Sequence, residues 1–158
     1  MKFSVATFAT VAAAAATKDV IFNVSDFTAS CTPTARCARK PALHHRSGDT
    51  YSFTVIQPGT METVGIKCSA QAPAEAGDTL PGLENGTCEL SARTWKIIRS
   101  TGGLALFVTQ PISPSSNQTG VHQINNSELE IVKGQTPTGD IQAYAGPKGF
   151  PLLTPDYS

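Results

Sequence analysis

Alternating apolar and polar residues indicate several short strands along this chain. The clearest are Arg93–Arg99 (RTWKIIR) and Leu104–Gln110 (LALFVTQ), which are joined by Ser-Thr-Gly-Gly. Period-two spacing with β-branched and aromatic residues predicts an antiparallel β-hairpin. Gly102 and Gly103 can take the positive φ angles that tight hairpin turns need. The residues predicted to line one buried face are Trp95, Ile97, Leu104, Leu106 and Val108, with Phe53 and Val55 from a neighbouring sheet.

The segments before this hairpin show the same alternation. Tyr51–Gln57 is followed by Pro58-Gly59, which suits the centre of a type II turn, and Thr60–Ala70 then returns as a strand. Lys18–Ser25 is predicted to be a strand, although its apolar residues up to Phe27 also fit helical spacing. The predicted inward residues of the first and third strands are Val20, Phe22, Val24, Val64, Ile66 and Cys68.

After the hairpin, the alternating segments are shorter and turn residues are more frequent. Pro111–Gln118 is predicted to be a turn-rich crossing, and Gly120–Asn125 and Glu128–Lys133 a further pair of strands. Asp140–Ala145 is predicted to be the last strand, followed by an irregular tail over residues 146–158, where prolines are frequent. Many short strands separated by turns predict a single all-β domain, an antiparallel β-barrel or β-sandwich.

Residues 1–16 have a different character from the rest of the chain. One lysine precedes an apolar run that ends in Ala14-Ala15-Ala16, the design of a secretory signal peptide. The run is shorter than the roughly 20 apolar residues of a membrane span. Cleavage after Ala16, or up to residue 18, would leave a β domain over residues 17–145 and the tail over 146–158.

Composition narrows the classes of function. The chain has 12 basic and 12 acidic residues, and without the predicted signal peptide its net charge is −1. This balance gives no reason to expect nucleic acid as a partner, nor stable membrane insertion. Charged residues are only 15% of the chain, so Ser, Thr, Asn and Gln must form much of the exposed surface.

Four cysteines in an exported chain predict two disulfides with three possible pairings. The pairing Cys31–Cys37 with Cys68–Cys88 is favoured because each bridge closes a local, turn-rich loop. The chain must reverse between Cys31 and Cys37, since extended strand would separate them by about 20 Å. A zinc site is the alternative, but no CxxC pair is present.

Candidate catalytic residues are few. The chain has no GxSxG or HExxH motif and no phosphate-binding glycine loop, and no motif for a cofactor or a metal. His122 stands alone in a predicted strand, which is typical of a structural or surface residue. Glu128 and Glu130 are predicted on one face of a strand, where they would be either glycosidase carboxylates or a solvated edge. We therefore expect no enzymatic activity.

One segment is strongly basic. Between positions 36 and 46 it carries His44 and His45 and no acidic residue, and its basic residues are Arg36, Arg39, Lys40 and Arg46. It is either a contact surface for an anionic partner, strengthened when the histidines are protonated, or a solvated loop.

Four Asn-x-Ser/Thr sequons are candidate glycosylation sites, and each asparagine would have to be exposed. The sequons lie at Asn23, Asn85, Asn117 and Asn125. Asn85 and Asn117 are the favoured pair because they fall in predicted loops, whereas Asn23 falls in a predicted strand.

Several short motifs resemble one family. The segments Val24–Cys31, Tyr51–Val55, Lys67–Ala70 and Gly86–Cys88 are similar to the secreted, hypersensitive-response-inducing elicitors of plant-pathogenic fungi of the rice blast type. More distantly the chain resembles the Alternaria major allergen family. The segment Ala38–Thr50 departs from these relatives as an insertion after the second cysteine.

The resemblance implies a secreted β-protein of the plant apoplast that triggers defence and hypersensitive cell death. It would act as a monomer or weak dimer on a plant cell-surface receptor or an apoplastic defence protein. The allergen relatives imply binding of small aromatic ligands. The alternative functions are therefore a cell-wall or small-aromatic-ligand binding module and, less favoured, a small glycoside hydrolase.

Overall fold

The computed structural model describes residues 18–30, 50–72, 79–133 and 141–156. These residues form ten β-strands and one 3-10 helix, Asn126–Glu128. The strands are β1 Val20–Ala29, β2 Tyr51–Ile56, β3 Ile66–Ala70, β4 Leu83–Cys88, β5 Thr94–Ser100, β6 Gly103–Ser113, β7 Ser116–Asn125, β8 Leu129–Val132, β9 Ile141–Tyr144 and β10 Phe150–Leu153.

Eight of these strands close into an antiparallel barrel in the order β1-β10-β7-β6-β5-β4-β3-β2. The all-β prediction is confirmed, and of its two alternatives the barrel is the one observed. Strands β8 and β9 pair only with each other, apart from an isolated bridge between Ser30 and Ala143. The turns β2–β3, β4–β5 and β6–β7 lie at one end of the barrel, which we call the upper end. The β8–β9 sheet lies at the lower end.

The predicted central hairpin is confirmed as β5 and β6. Trp95 pairs with Val108 and Ile97 with Leu106, so their side chains share the inner face of the sheet. Gly103 has a φ of 135°, and a Cβ there would lie 2.0 Å from the Ile124 carbonyl oxygen. The interior is filled by large side chains with almost no exposed surface, among them Phe22, Phe27, Tyr51, Phe53, Leu80, Trp95, Ile97, Leu104, Leu106, Ile124 and Leu152.

Strand β1 keeps its apolar residues inside the barrel by means of a bulge. Phe22 and Val24 point inward from even positions, whereas Phe27 and Ala29 point inward from odd positions. The register with β2 shifts between Ser25 and Thr28, where Asp26 has a φ of 53°. One extra residue in a strand reverses the side to which the following residues point. This segment is therefore a strand and not a helix. The residue Val20, which was predicted to point inward, is 45% exposed.

The Cys68–Cys88 bridge is confirmed. The two residues are directly opposite each other on β3 and β4, with their Cα atoms 4.1 Å apart. The segment between these cysteines, predicted to be a loop, ends in strand β4. Cys31, Cys37 and the predicted signal peptide lie outside the described residues.

Two predicted elements before and after the hairpin are wrong in their bounds. The strand predicted over Thr60–Ala70 begins only at Ile66, and Val64 is 77% exposed in the preceding loop. Within this loop Glu62 accepts a hydrogen bond from the Gln57 backbone N–H at 2.6 Å. Pro111–Gln118 is not a crossing but the tip of one long hairpin, because β6 continues to Ser113 and β7 begins at Ser116.

The predicted pairing of Gly120–Asn125 with Glu128–Lys133 is also wrong. Both segments contain strands, but β7 pairs with β6 and β10, whereas β8 pairs with β9. The 3-10 helix between β7 and β8 directs the chain away from the barrel. The strand predicted over Asp140–Ala145 is confirmed as β9.

The predicted irregular tail over residues 146–158 contains a strand that closes the barrel. Phe150 and Leu152 are buried while Pro151 between them is exposed, so β10 has the alternation of a strand. Its register pairs with β1 are Val20–Leu153, Phe22–Leu152, Asn23–Pro151 and Val24–Phe150, but with β7 only Leu153–Val121. Proline has no backbone N–H to donate, which suits Pro151 to this sparsely paired seam between β7 and β10.

Candidate functional site

The titratable side chains with shifted pKa values and the buried polar side chains lie at the two ends of the barrel and at the seam between β7 and β10. At the seam between β7 and β10, the His122 ring stacks on Phe150 with centroids 4.0 Å apart and an interplanar angle of 16°. Burial lowers the pKa of His122, although the Glu128 charge and a hydrogen bond with the Pro151 backbone act in the opposite direction. The histidine joins two strands that share little backbone pairing.

Glu128 organises the chain below this seam. One carboxylate oxygen accepts a hydrogen bond from the Asn125 backbone N–H at 2.8 Å. Burial, followed by the charge and hydrogen bonding of Glu128, raises the pKa of Tyr144 to about 12. The Tyr144 hydroxyl also donates to the Pro147 carbonyl oxygen at 2.6 Å. A Cβ at Gly146 would lie 2.6 Å from the tyrosine oxygen and 2.7 Å from Glu128 Oε1, so this close arrangement requires glycine there.

The two glutamates that the sequence offers as either glycosidase carboxylates or a solvated edge differ in their surroundings. Glu128 ends the 3-10 helix and is engaged by the Asn125 backbone, whereas Glu130 is exposed on β8. The two residues therefore do not lie on one strand face. Among the described residues, no group of three or more His, Cys, Asp or Glu side chains could hold a metal ion.

The His122 seam predicts a pH-dependent stability. Since the pKa of His122 is lowered from 6.5 in the folded protein, the unfolded chain binds more protons below that pH. The stabilising contribution is present above pH 6.5 and is lost as the pH falls through the folded-state pKa. We expect His122→Gln to reduce the pH dependence of the unfolding free energy, measured by urea titration between about pH 8 and about pH 5. Any contribution of His44 and His45 is common to the wild type and His122→Gln, so it cancels when the two pH profiles are subtracted. Equal pH slopes for the two proteins would contradict the role assigned to His122.

At the upper end of the barrel, Arg93 is buried with only 3% of its surface exposed. Its guanidinium donates to both carboxylate oxygens of Glu62, at 2.9 and 3.1 Å, and through Nε to the Gln110 side-chain oxygen. The guanidinium carbon lies 5.3 Å from the centroid of the Phe22 ring. We call Arg93, Glu62 and Gln110 the upper latch, because it fastens the β2–β3 loop over the end of the barrel.

Glu62 is ionised in this latch over most of the pH range. Burial raises its pKa, but hydrogen bonds from Arg93 and from the Gln57 backbone, together with the Arg93 charge, outweigh burial and lower the pKa from 4.5. Neither Glu62 nor Arg93 belongs to a sequence motif that predicts an ion pair.

The lower end of the barrel is closed by a second arginine. Arg99 donates to the Leu80 carbonyl oxygen at 2.5 Å and to the Gln142 side-chain oxygen at 3.3 Å. The same Gln142 oxygen accepts from the Leu80 backbone N–H at 2.9 Å. Tyr51 adds a hydrogen bond from its hydroxyl to the Pro81 carbonyl oxygen. Polar side chains thus cover both ends of an apolar interior.

The described residues line two clefts outside the barrel wall. The larger, of about 290 Å³, lies between the end of β1 and the segment that leads into β10, and it is lined by Phe27, Thr28, Ala29, Ser30, Ala143, Tyr144, Ala145, Gly146 and Lys148. The smaller, of about 200 Å³, lies on the outer face of β4–β6 and is lined by Glu84, Thr94, Trp95, Lys96, Phe107 and Thr109.

The remaining predicted site residues divide into two groups. The basic residues Arg36, Arg39, Lys40 and Arg46 lie outside the described residues. The four sequon asparagines Asn23, Asn85, Asn117 and Asn125 are all exposed, as glycosylation requires. Asn85 and Asn117 lie in β4 and β7 and not in loops, so the reason for preferring them is wrong.

Comparison with known proteins identifies no relative: no family model, no curated protein and no solved structure matches the chain. No helix in the described part of the chain is long and apolar enough to cross a membrane.

Proposed function

We propose that this protein is a secreted fungal elicitor that plants recognise through its folded outer surface, with defence and hypersensitive cell death as the response. The observation that supports surface recognition is the filled interior. Tyr51, Phe53 and Trp95 meet edge to face inside the barrel, at centroid distances of 6.2 and 5.1 Å from the tryptophan. The family resemblance supplies the biological class.

Two of the alternative functions, binding of a small ligand inside the barrel and glycoside hydrolysis, have weaker support. An eight-stranded barrel can hold one small ligand inside, but here aromatic side chains occupy that space. A glycoside hydrolase needs two facing carboxylates, and Glu128 and Glu130 do not provide them. Of the candidate acid–base residues, His122 is stacked on Phe150 at the seam between β7 and β10, and Glu128 accepts a hydrogen bond from the Asn125 backbone.

The proposal is tested by infiltrating purified protein into leaves and scoring cell death. We expect necrosis with the native protein and none with protein that has been reduced and alkylated, because recognition of a surface requires the fold. Protein purified from the fungal culture filtrate should begin at Thr17 or within two residues of it, since the proposal includes signal-peptide cleavage. Native protein that causes no cell death contradicts elicitor activity.

Three substitutions separate recognition from catalysis. His122→Ala, Glu128→Gln and Glu130→Gln should each retain necrosis activity in every variant whose melting curve shows a folded protein. Loss of activity in a folded variant would favour an enzyme.

Replacing Arg36, Arg39, Lys40 and Arg46 together by Ser tests the basic segment, and loss of activity with an unchanged melting curve would make it the contact surface.

A further inference from the structure

The smaller cleft lies on the side of the sheet opposite the filled interior, so a ligand can reach it without opening the barrel. Two rows of outward side chains cross the strands here. The first row follows from the strand register, in which Ser69 is opposite Thr87, Thr87 opposite Thr94, Thr94 opposite Thr109, and Thr109 opposite Thr119. We call these five residues the hydroxyl row.

The hydroxyl row is regular and accessible. Thr87 and Thr94 are exposed, and the other three residues are half-buried. Within the row, the Thr109 and Thr119 hydroxyl oxygens lie 2.9 Å apart and share a hydrogen bond. Neighbouring strands are about 4.8 Å apart, so hydroxyl groups recur at roughly that spacing across five strands. This spacing is similar to the advance of one sugar unit in a β-1,4-linked chain.

The second row places an aromatic ring beside two charged groups, in the order Phe107 on β6, Lys96 on β5 and Glu84 on β4. Lys96 is opposite Phe107, and its ammonium nitrogen lies 5.2 Å from the centroid of the phenylalanine ring. Glu84 on the neighbouring strand lines the same cleft. Within the described chain, neither Lys96 nor Glu84 forms an ion pair. The cleft thus offers a strong donor, a strong acceptor and no net charge.

We propose that the outer face of β3–β7 binds a neutral, linear, β-linked glycan. The C–H face of a pyranose ring packs against an aromatic ring, as Phe107 allows. Its hydroxyl groups both donate and accept, which matches the Glu84 carboxylate, the Lys96 ammonium and the threonine hydroxyls. The cleft beside Phe107 is lined by one positive and one negative side chain, and this balance favours an uncharged chain over an acidic one. This inference does not depend on elicitor activity, and either can fail without the other.

The test is an amide NMR titration of the full mature protein with cellohexaose, with chitohexaose and with an oligogalacturonate of the same length. We expect one of the neutral hexamers to shift the signals of Thr94, Lys96 and Phe107 at millimolar concentration. Phe107→Ala should weaken that binding roughly tenfold or more, since an aromatic contact at the centre of a site contributes strongly. Thr94→Val, which removes a hydroxyl group and keeps the shape, should weaken it as well.

Thr94 is the informative threonine because Thr87 and Thr119 also complete the sequons of Asn85 and Asn117. Thr63→Val, an exposed change in the β2–β3 loop, is the matched control and should leave binding unchanged. The proposal is overturned if neither neutral hexamer shifts this face, or if Thr94→Val and the control bind alike. Tighter binding of oligogalacturonate that Lys96→Gln abolishes would instead assign the face to acidic glycans and overturn the neutral ligand.

Discussion

Replacing Trp95 by Ala should lower the free energy of unfolding by about 3–5 kcal/mol, because it removes the largest side chain of a tightly packed core. Trp95 is 2% exposed and packs edge to face against Tyr51 and Phe53. Its indole N–H donates to the Thr87 carbonyl oxygen at 3.0 Å. Urea unfolding followed by far-UV circular dichroism measures the loss. Ile98→Ala is the control, since this residue lies on the outer face of the same strand and is 40% exposed.

The space that Trp95→Ala leaves also predicts that substitutions at Trp95 and at Gly86, on the neighbouring strand, have non-additive effects on stability. A Cβ at Gly86 would lie 2.3 Å from the indole ring, so Gly86→Ala should destabilise the protein that contains Trp95. With Ala at position 95 the space is free, and the same glycine substitution should cost much less. Additive effects of the two substitutions, or a loss for Trp95→Ala no larger than for Ile98→Ala, would contradict this packing.

The central hairpin was predictable because its alternation is local. Trp95 and Ile97 point inward at every second position, and the partner strand shows the same period. The same alternation carries a second signal. Arg93 and Arg99 share the parity of these two residues, so period two places both arginines on the inner face at the ends of one strand. Inward arginines at strand ends indicate the ends of a closed barrel.

The structural features that the sequence did not indicate depend on pairing between strands that are far apart in the chain. Strand β10 contains Pro151, which argues against a strand until a sparsely paired position at the seam becomes known. The bulge at Asp26 inserts one residue that no alternation pattern anticipates. Both features arise from closing the barrel, which fixes register and curvature through contacts between residues far apart in sequence.

The candidate sites show the same division. His122 lies in a strand as predicted, but its stacking partner Phe150 lies in the segment predicted to be irregular. The hydroxyl row is visible only after the register of five strands is known, because its members are scattered from Ser69 to Thr119. The sequence identifies residues whose side chains are able to bind or react. The strand register decides which of these side chains lie next to each other.

The upper latch gives the second large effect. Glu62→Ala should lower the free energy of unfolding by about 3–5 kcal/mol, because it leaves the Arg93 guanidinium buried without its carboxylate. Gln110 and the Phe22 ring remain in contact with the guanidinium but do not neutralise it. Glu130→Ala, an exposed glutamate at the opposite end, is the control and should change stability by no more than about 0.5 kcal/mol.

Two further measurements separate the ion pair from simple loss of packing. Replacing Arg93 and Glu62 together by Met should cost less than Glu62→Ala alone, since no charge then remains buried. Because the pKa of Glu62 is lowered in the folded protein, its contribution is present above about pH 4.5 and is lost as the pH falls through the folded-state value. Glu62→Ala should therefore show a smaller loss of stability than the wild type between about pH 5 and about pH 3. Equal pH slopes, together with a loss no greater than that of Glu130→Ala, would show that the latch does not stabilise the barrel.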